Sequence, residues 1–215
     1  ALLAGCNADT PEEPGVSSQR EWKSCPLHLN ISMGEAMTRA GWELQDGDMI
    51  AVQFDQPNEV VEGYARYSAY TGAWTFYYRG QMEDCVDRPC NVAYMGGSPS
   101  WEEESSQFAL TPFSALFVSE EFGSFSYGNG SVDLSASIVP MFARFKFKGV
   151  RYDSFQIIGI ETPKSVTFDP WSYQVRWYYE KINLALESTS DGWESPYVYA
   201  DFAEDWSEHM RLKNT

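Results

Sequence analysis

Along residues 27–33 the chain alternates strictly between apolar and polar side chains: Leu27, Leu29, Ile31 and Met33 against His28, Asn30 and Ser32. A period of two marks a strand with one buried face. The alternation returns in pairs. Residues 64–70 and 74–78 flank Thr71-Gly72-Ala73, a hairpin signal, and residues 124–127 and 132–138 flank the stronger Gly128-Asn129-Gly130. Val132, Leu134, Ala136 and Ile138 share one face of the last segment, with Asp133, Ser135 and Ser137 opposite. Beyond Pro140, Ala143, Phe145 and Phe147 alternate with Arg144, Lys146 and Lys148. Further strands are expected at 48–54, 90–94, 115–118, 154–160, 165–168, 182–186 and 197–202. No window sustains a 3.6-residue period with caps. Short strands about ten residues apart, divided by Gly, Pro, Asn and Asp, predict an all-β sandwich. The reading is one β-sandwich domain over residues 25–215.

Composition sharpens this picture. The chain has 215 residues, enough to bury a real core, and its aromatic content of 16% suits pleated sheets. Its net charge of −16 repels phosphate backbones, which argues against nucleic acid as a partner. No segment approaches the run of about 18 apolar residues that spans a bilayer.

The start of the chain bears on membranes in another way. Leu3-Ala4-Gly5-Cys6 reads as a lipobox, small residues at a signal-peptidase site before a cysteine that is acylated. The rival is a chance apolar stretch before a buried cysteine. On the lipobox reading, residues 1–5 are a signal remnant and Cys6 carries lipid. Residues 6–24, polar and proline-containing, form a flexible tether. Cys25, Cys85 and Cys90 remain. A Cys85–Cys90 bridge is the first choice and pairing of Cys25 with either is the alternative, since export permits disulfides and spacing does not decide.

The order of motifs carries a resemblance. An alternating strand runs into Thr38-Arg39-Ala40-Gly41-Trp42, then Asp46-Gly47-Asp48-Met49-Ile50-Ala51-Val52. A Tyr-rich hairpin through Thr71-Gly72-Ala73-Trp74 follows, then Val92-Ala93-Tyr94, then Asp133 through Gly149. This succession resembles the N-terminal part of the fimbrillin-like lipoproteins of Bacteroidetes, the superfamily of major and minor fimbrial subunits. The resemblance implies a Greek-key, transthyretin-like β-sandwich on a lipid anchor at the outer membrane, exposed at the cell surface. It implies no catalysis, and neighbouring fimbrial subunits as partners through strand donation.

Chemistry-bearing patterns are sparse. Two histidines leave little for a nucleophile–base pair, and Gly-x-Ser-x-Gly, a phosphate loop and His-Glu-x-x-His do not occur. Neither a cofactor nor a metal nor a catalytic residue is expected. Asp46 and Asp48 suit a turn better than a calcium loop, with Gly47 supplying a permissive backbone. Glu102-Glu103-Glu104 after Trp101 reads as a solvated loop rather than a sugar site. Trp101, Trp171, Trp177 and Trp193 sit in loop-like segments. Trp171 and Trp177 are the candidates for stacking on a host or polysaccharide glycan, with core capping as the alternative. The expected function is a non-catalytic cell-surface lipoprotein module for adhesion or fimbria-like assembly. The alternatives are a carbohydrate-binding surface module and the N-terminal spacer of a longer surface enzyme.

Overall fold

The computed structural model describes residues 21–33, 43–54, 61–80, 82, 86–102, 107–149, 155–168, 175–190, 192–200 and 211–214. Ten strands come first: β1 (Lys23–Met33), β2 (Met49–Phe54), β3 (Val61–Ser68), β4 (Ala73–Gly80), β5 (Arg88–Met95), β6 (Ser100–Glu102), β7 (Gln107–Ala109), β8 (Leu116–Ser119), β9 (Gly123–Gly128) and β10 (Ser131–Pro140). Residues at β-period become strands here because each has a wholly apolar face. In β10, Val132, Leu134, Ala136 and Ile138 are buried while Asp133, Ser135 and Ser137 are exposed. The β9–β10 hairpin turns through Asn129 and Gly130, both at positive φ (52° and 77°).

The main sheet closes on itself. Its order is β1–β4–β3–β2–β5, then β8 and β9, then β10, and β10 returns to β1. That last contact is a parallel pair, Leu27–Met33 against Val132–Ile138. β8 and β9 share one place in the ring. β8 pairs with β5 at Ala93–Met95 and β9 pairs with β5 at Arg88–Cys90, and both also pair with β10. They act as one strand interrupted at Glu120-Glu121-Phe122, and the ring is a 7-strand barrel.

This closure corrects the expected architecture. The chain is all-β, but its main sheet is a barrel and not a Greek-key, transthyretin-like sandwich. The resemblance to fimbrillin-like subunits falls with it. The physical reason lies in periodicity. A strand facing a barrel interior and a strand facing a second sheet carry the same alternation, and only long-range pairing separates them. The pair that decides joins segments more than a hundred positions apart, His28 to Asp133 for example.

Side chains fill the barrel. Ile50, Val92, Tyr94, Phe76, Phe125, Val132, Leu134 and Ile138 are wholly buried in one cluster. Phe125 meets Phe54 edge-on at 4.8 Å and Phe76 at 5.4 Å. β3 contributes small residues where these rings crowd. A Cβ built on Gly63 would stand 2.4 Å from the Phe76 ring.

The remaining strands are β11 (Ala143–Phe145), β12 (Lys148–Gly149), β13 (Phe155–Phe168), β14 (Val175–Ala185), β15 (Glu187–Thr189), β16 (Gly192–Glu194), β17 (Val198–Ala200) and β18 (Arg211–Asn214). β14, β13, β7 and β6 form a second sheet in that order, with β18 also on β13. The β6–β7 hairpin fastens this sheet to the barrel wall. Phe108 is buried, and Trp101 stacks on Tyr64 of β3 at 6.0 Å. Phe108, Leu110, Phe142, Val166 and Tyr199 belong to the barrel's own cluster, so its core runs on into these strands. A smaller cluster of Ile160, Leu184, Leu186, Val198 and Ala200 lies beside it.

Candidate functional site

The alternation after Pro140 builds the most distinctive surface. Residues 143–149 run antiparallel to 192–200: β11 pairs with β17, Ala143 to Ala200 through Phe145 to Val198, and β12 pairs with β16, Lys148 to Glu194 and Gly149 to Trp193. Phe145 and Phe147 pack against the smaller core cluster, and their rings stack at 6.3 Å. A period of two then sends Arg144, Lys146 and Lys148 to the other face. Ser195, itself buried, clasps the junction between the two ladders. Its N–H donates to the Phe147 carbonyl (2.9 Å), its Oγ accepts from the Phe147 N–H (2.9 Å), and its hydroxyl donates to the Pro196 carbonyl (2.7 Å).

On the outward face one carboxylate meets two of these cations. Glu194 accepts from Lys146 and, at 2.7 Å, from Lys148. Hydrogen bonds from Lys146 first and Lys148 second hold the Glu194 carboxyl below the usual carboxylate range. The Arg144 guanidinium lies 3.9 Å over the Tyr197 ring centre, and the Lys146 ammonium stands 5.4 Å from the same centre. Tyr197 keeps 48% of its surface exposed. Two residues on, Tyr199 is buried, its phenol pushed up to about 12 chiefly by that burial. Stacking on an aromatic face fixes a guanidinium plane while its donors point within that plane, toward planar anions such as carboxylates. The patch is therefore basic, aromatic and rigidly backed, on a chain of net charge −16.

A second cluster, at one end of the barrel, is structural. Asp48 is wholly buried and accepts from the Gln45 N–H (2.9 Å), the Gly97 N–H (3.0 Å) and the Tyr94 hydroxyl (2.5 Å). Burial pushes its carboxyl up, against the pull of those three donors. Around it Asp46 accepts from the Ala69 N–H, and Ser98 donates to the Asp46 carbonyl. Both Asp48 oxygens face donors and none faces solvent, so the group ties loops together rather than acting on a substrate. Among the described residues no group of three His, Cys, Asp or Glu could hold a metal ion.

The sequence-derived candidates distribute unevenly. Cys6, Cys85 and Trp171 lie outside the described residues. Trp177 falls on β14 opposite Val166, and its side chain lies outside them too. Cys90 is buried in β5, its thiol pushed up to about 12 by burial, and Cys25 is buried in β1 with its thiol raised for the same reason. Trp101 and Trp193 are on strands, not loops, and pack against the two core clusters. Glu102 accepts from the Gln107 side chain at 2.8 Å across the β6–β7 hairpin. Sequence reasoning noticed the Arg144–Lys146–Lys148 row but missed Tyr197. The strand expected at 197–202 did not mark it, because alternation puts Tyr197 and Tyr199 on one side while Tyr197 is exposed and Tyr199 buried.

No protein-family model matches the chain, and no curated protein or solved structure matches it. The expected placement among fimbrillin-like, fimbria-forming lipoproteins of Bacteroidetes is thus corrected on a second ground beside the barrel.

Proposed function

We propose that this chain is a non-catalytic adhesion module that binds an acidic glycan at the patch of Arg144, Lys146, Lys148 and Tyr197. The carrying observation is the exposed Tyr197 ring under the Arg144 guanidinium, with two lysines alongside, in a strongly acidic protein. A uronate residue supplies what that arrangement takes. Its carboxylate meets the cations, and its C–H faces lie against an aromatic ring. The surrounding negative charge disfavours polyanions elsewhere on the surface, which orients the ligand to this patch. Lipid on Cys6 would hold the module at the outer membrane with the patch displayed outward. This reading moves the glycan contact from Trp171 and Trp177 to β11, β12 and the strand facing them.

Calorimetric titration with an oligogalacturonate, with a neutral glucan as control, tests the reading. Saturable binding to the uronate is expected, weakening with added salt. Replacing Arg144 and Lys148 together by alanine should weaken it about tenfold or more, the loss of charge-assisted hydrogen bonds. Equal binding to the neutral glucan, or no binding to either, overturns the assignment.

A further inference from the structure

β14 ends the second sheet. It pairs with β13 along its whole length, and among the described residues no strand takes its other edge. The edge is long, 11 residues without proline or glycine. Natural edges are usually blunted by shortness, proline, bulges or charged side chains, because a long flat one is a template for further main-chain pairing; of these devices this edge carries only charges, Arg176, Glu180 and Lys181. Here Tyr178 and Tyr179 instead expose 50% and 39% of their surfaces.

The sequence of this edge is complementary to itself. Val175-Arg176-Trp177-Tyr178-Tyr179-Glu180-Lys181 reads outward from Tyr178 as aromatic on both sides, then a cation on one and an anion on the other. Two copies laid antiparallel with Tyr178 opposite Tyr178 bring Arg176 of each against Glu180 of the other. The Trp177 and Tyr179 positions face each other in the same register. Opposite charges directly across a strand pair stabilise it and like charges destabilise it. Neighbouring registers lose this match: moving the axis by half a residue sets Arg176 against Lys181 one way or Tyr179 the other, and by a whole residue against Ile182 or Tyr178. Within one strand the two positions stand about 13 Å apart along the chain.

We propose that the chain forms a two-fold symmetric dimer through antiparallel pairing of β14 with β14 of a second copy, centred on Tyr178. Such an interface is isologous, so every contact occurs twice and the pairing closes at two copies rather than growing into a fibre. It joins two second sheets into one continuous sheet and leaves the patch around Tyr197 on strands of its own.

Sedimentation equilibrium from about 1 to about 300 μM, a range that brackets weak association, reads the dimer directly. A concentration-dependent dimer is expected. Arg176→Glu and Glu180→Arg should each weaken it about tenfold or more, since each turns two attractive cross-strand pairs repulsive. The double exchange should restore it, with melting temperatures showing that all variants are folded. A second readout uses geometry alone. Tyr178→Cys faces itself across the axis at a separation that a disulfide spans, about 4.5–5.5 Å between Cα atoms, so mild oxidation should give covalent dimer. Asn183→Cys, well off the axis, should not. A monomer at every concentration overturns the proposal. So does a dimer indifferent to Arg176→Glu, a double exchange that stays monomeric while folded, or equal crosslinking at both cysteines.

Discussion

Replacing Asp48 by alanine should remove a hub that joins its own turn to the segment from Tyr94 to Gly97. Its carboxylate accepts from the Gln45 N–H, the Gly97 N–H and the Tyr94 hydroxyl. The variant leaves all three donors without that acceptor. Tyr94 is wholly buried, so its orphaned hydroxyl alone costs about 1–3 kcal/mol. The two N–H groups are only partly buried and recover some hydration, for about 1 kcal/mol each. The sum is about 4 kcal/mol, a large share of the total for a domain, and corresponds to a melting point about 8–16 °C lower. Urea unfolding followed by far-ultraviolet circular dichroism reads it. Tyr94→Phe alone removes one hydrogen bond to a charged group, about 1.5–3 kcal/mol. In the double variant the orphaned hydroxyl no longer exists, so the combined loss should fall short of the sum by about 1–3 kcal/mol.

The pH dependence of the same variant has a definite sign. Burial raises the Asp48 carboxyl in the folded chain. The folded state therefore holds the proton to higher pH than the unfolded state does. The contribution is fully present below the unfolded value and is lost as pH rises through the folded one. The advantage of the native protein over Asp48→Ala should shrink across that window. An Asp48→Ala variant within about 1 kcal/mol of the native protein, or strict additivity with Tyr94→Phe, refutes the hub.

Four further outcomes follow from the same contacts. Gly63→Ala should destabilise by about 1–3 kcal/mol, because its Cβ would meet the Phe76 ring at 2.4 Å inside the barrel; thermal melting reads it. Leu134→Ala, at a wholly buried position, should cost about 2–5 kcal/mol in the same melt. Glu194 behaves oppositely to Asp48: its carboxyl is depressed by Lys146 and Lys148, so its contribution is present above the unfolded value and lost as pH falls through the folded one. Glu194→Gln should flatten that acid limb in unfolding curves. Cys25 and Cys90 should resist a thiol reagent in the native state and react on denaturation, since both are buried with raised thiols.

Local pattern was legible wherever one face of a strand is buried and the other is wet. The segment 132–138 became β10 with the anticipated apolar face, and 27–33 falls within β1. The Asp46-Gly47-Asp48 turn was legible too, with Gly47 at φ 84°. What the turn hides is Asp48 itself, because nothing local announces that Tyr94 and Gly97 arrive to bury it. β13 was expected as two short strands, 154–160 and 165–168. It is one, bent by register shifts near Gly159 and Lys164 that read in sequence as a break. The short β6, β12, β15 and β16 carry too few residues for any period to show.

Closure of the barrel was illegible for a deeper reason. Alternation specifies that a strand has an inside, not what the inside contains, and the Val132–Ile138 face would serve a facing sheet as well as a filled interior. The deciding pair is parallel, and a parallel pair cannot be made by a tight hairpin, so no turn signal marks it. Its register leaves one trace in side chains: His28 Nδ1 stands 3.1 Å from the Asp133 carboxylate, an exposed contact across the closing seam. The Tyr197 patch shares this origin. Arg144, Lys146 and Lys148 form a row by local alternation alone, but only the antiparallel return of 192–200 supplies the ring and the carboxylate that turn a row of charges into a shaped surface. Barrel closure and the Tyr197 surface both arise at seams between distant segments, while the sequence records the faces that meet there.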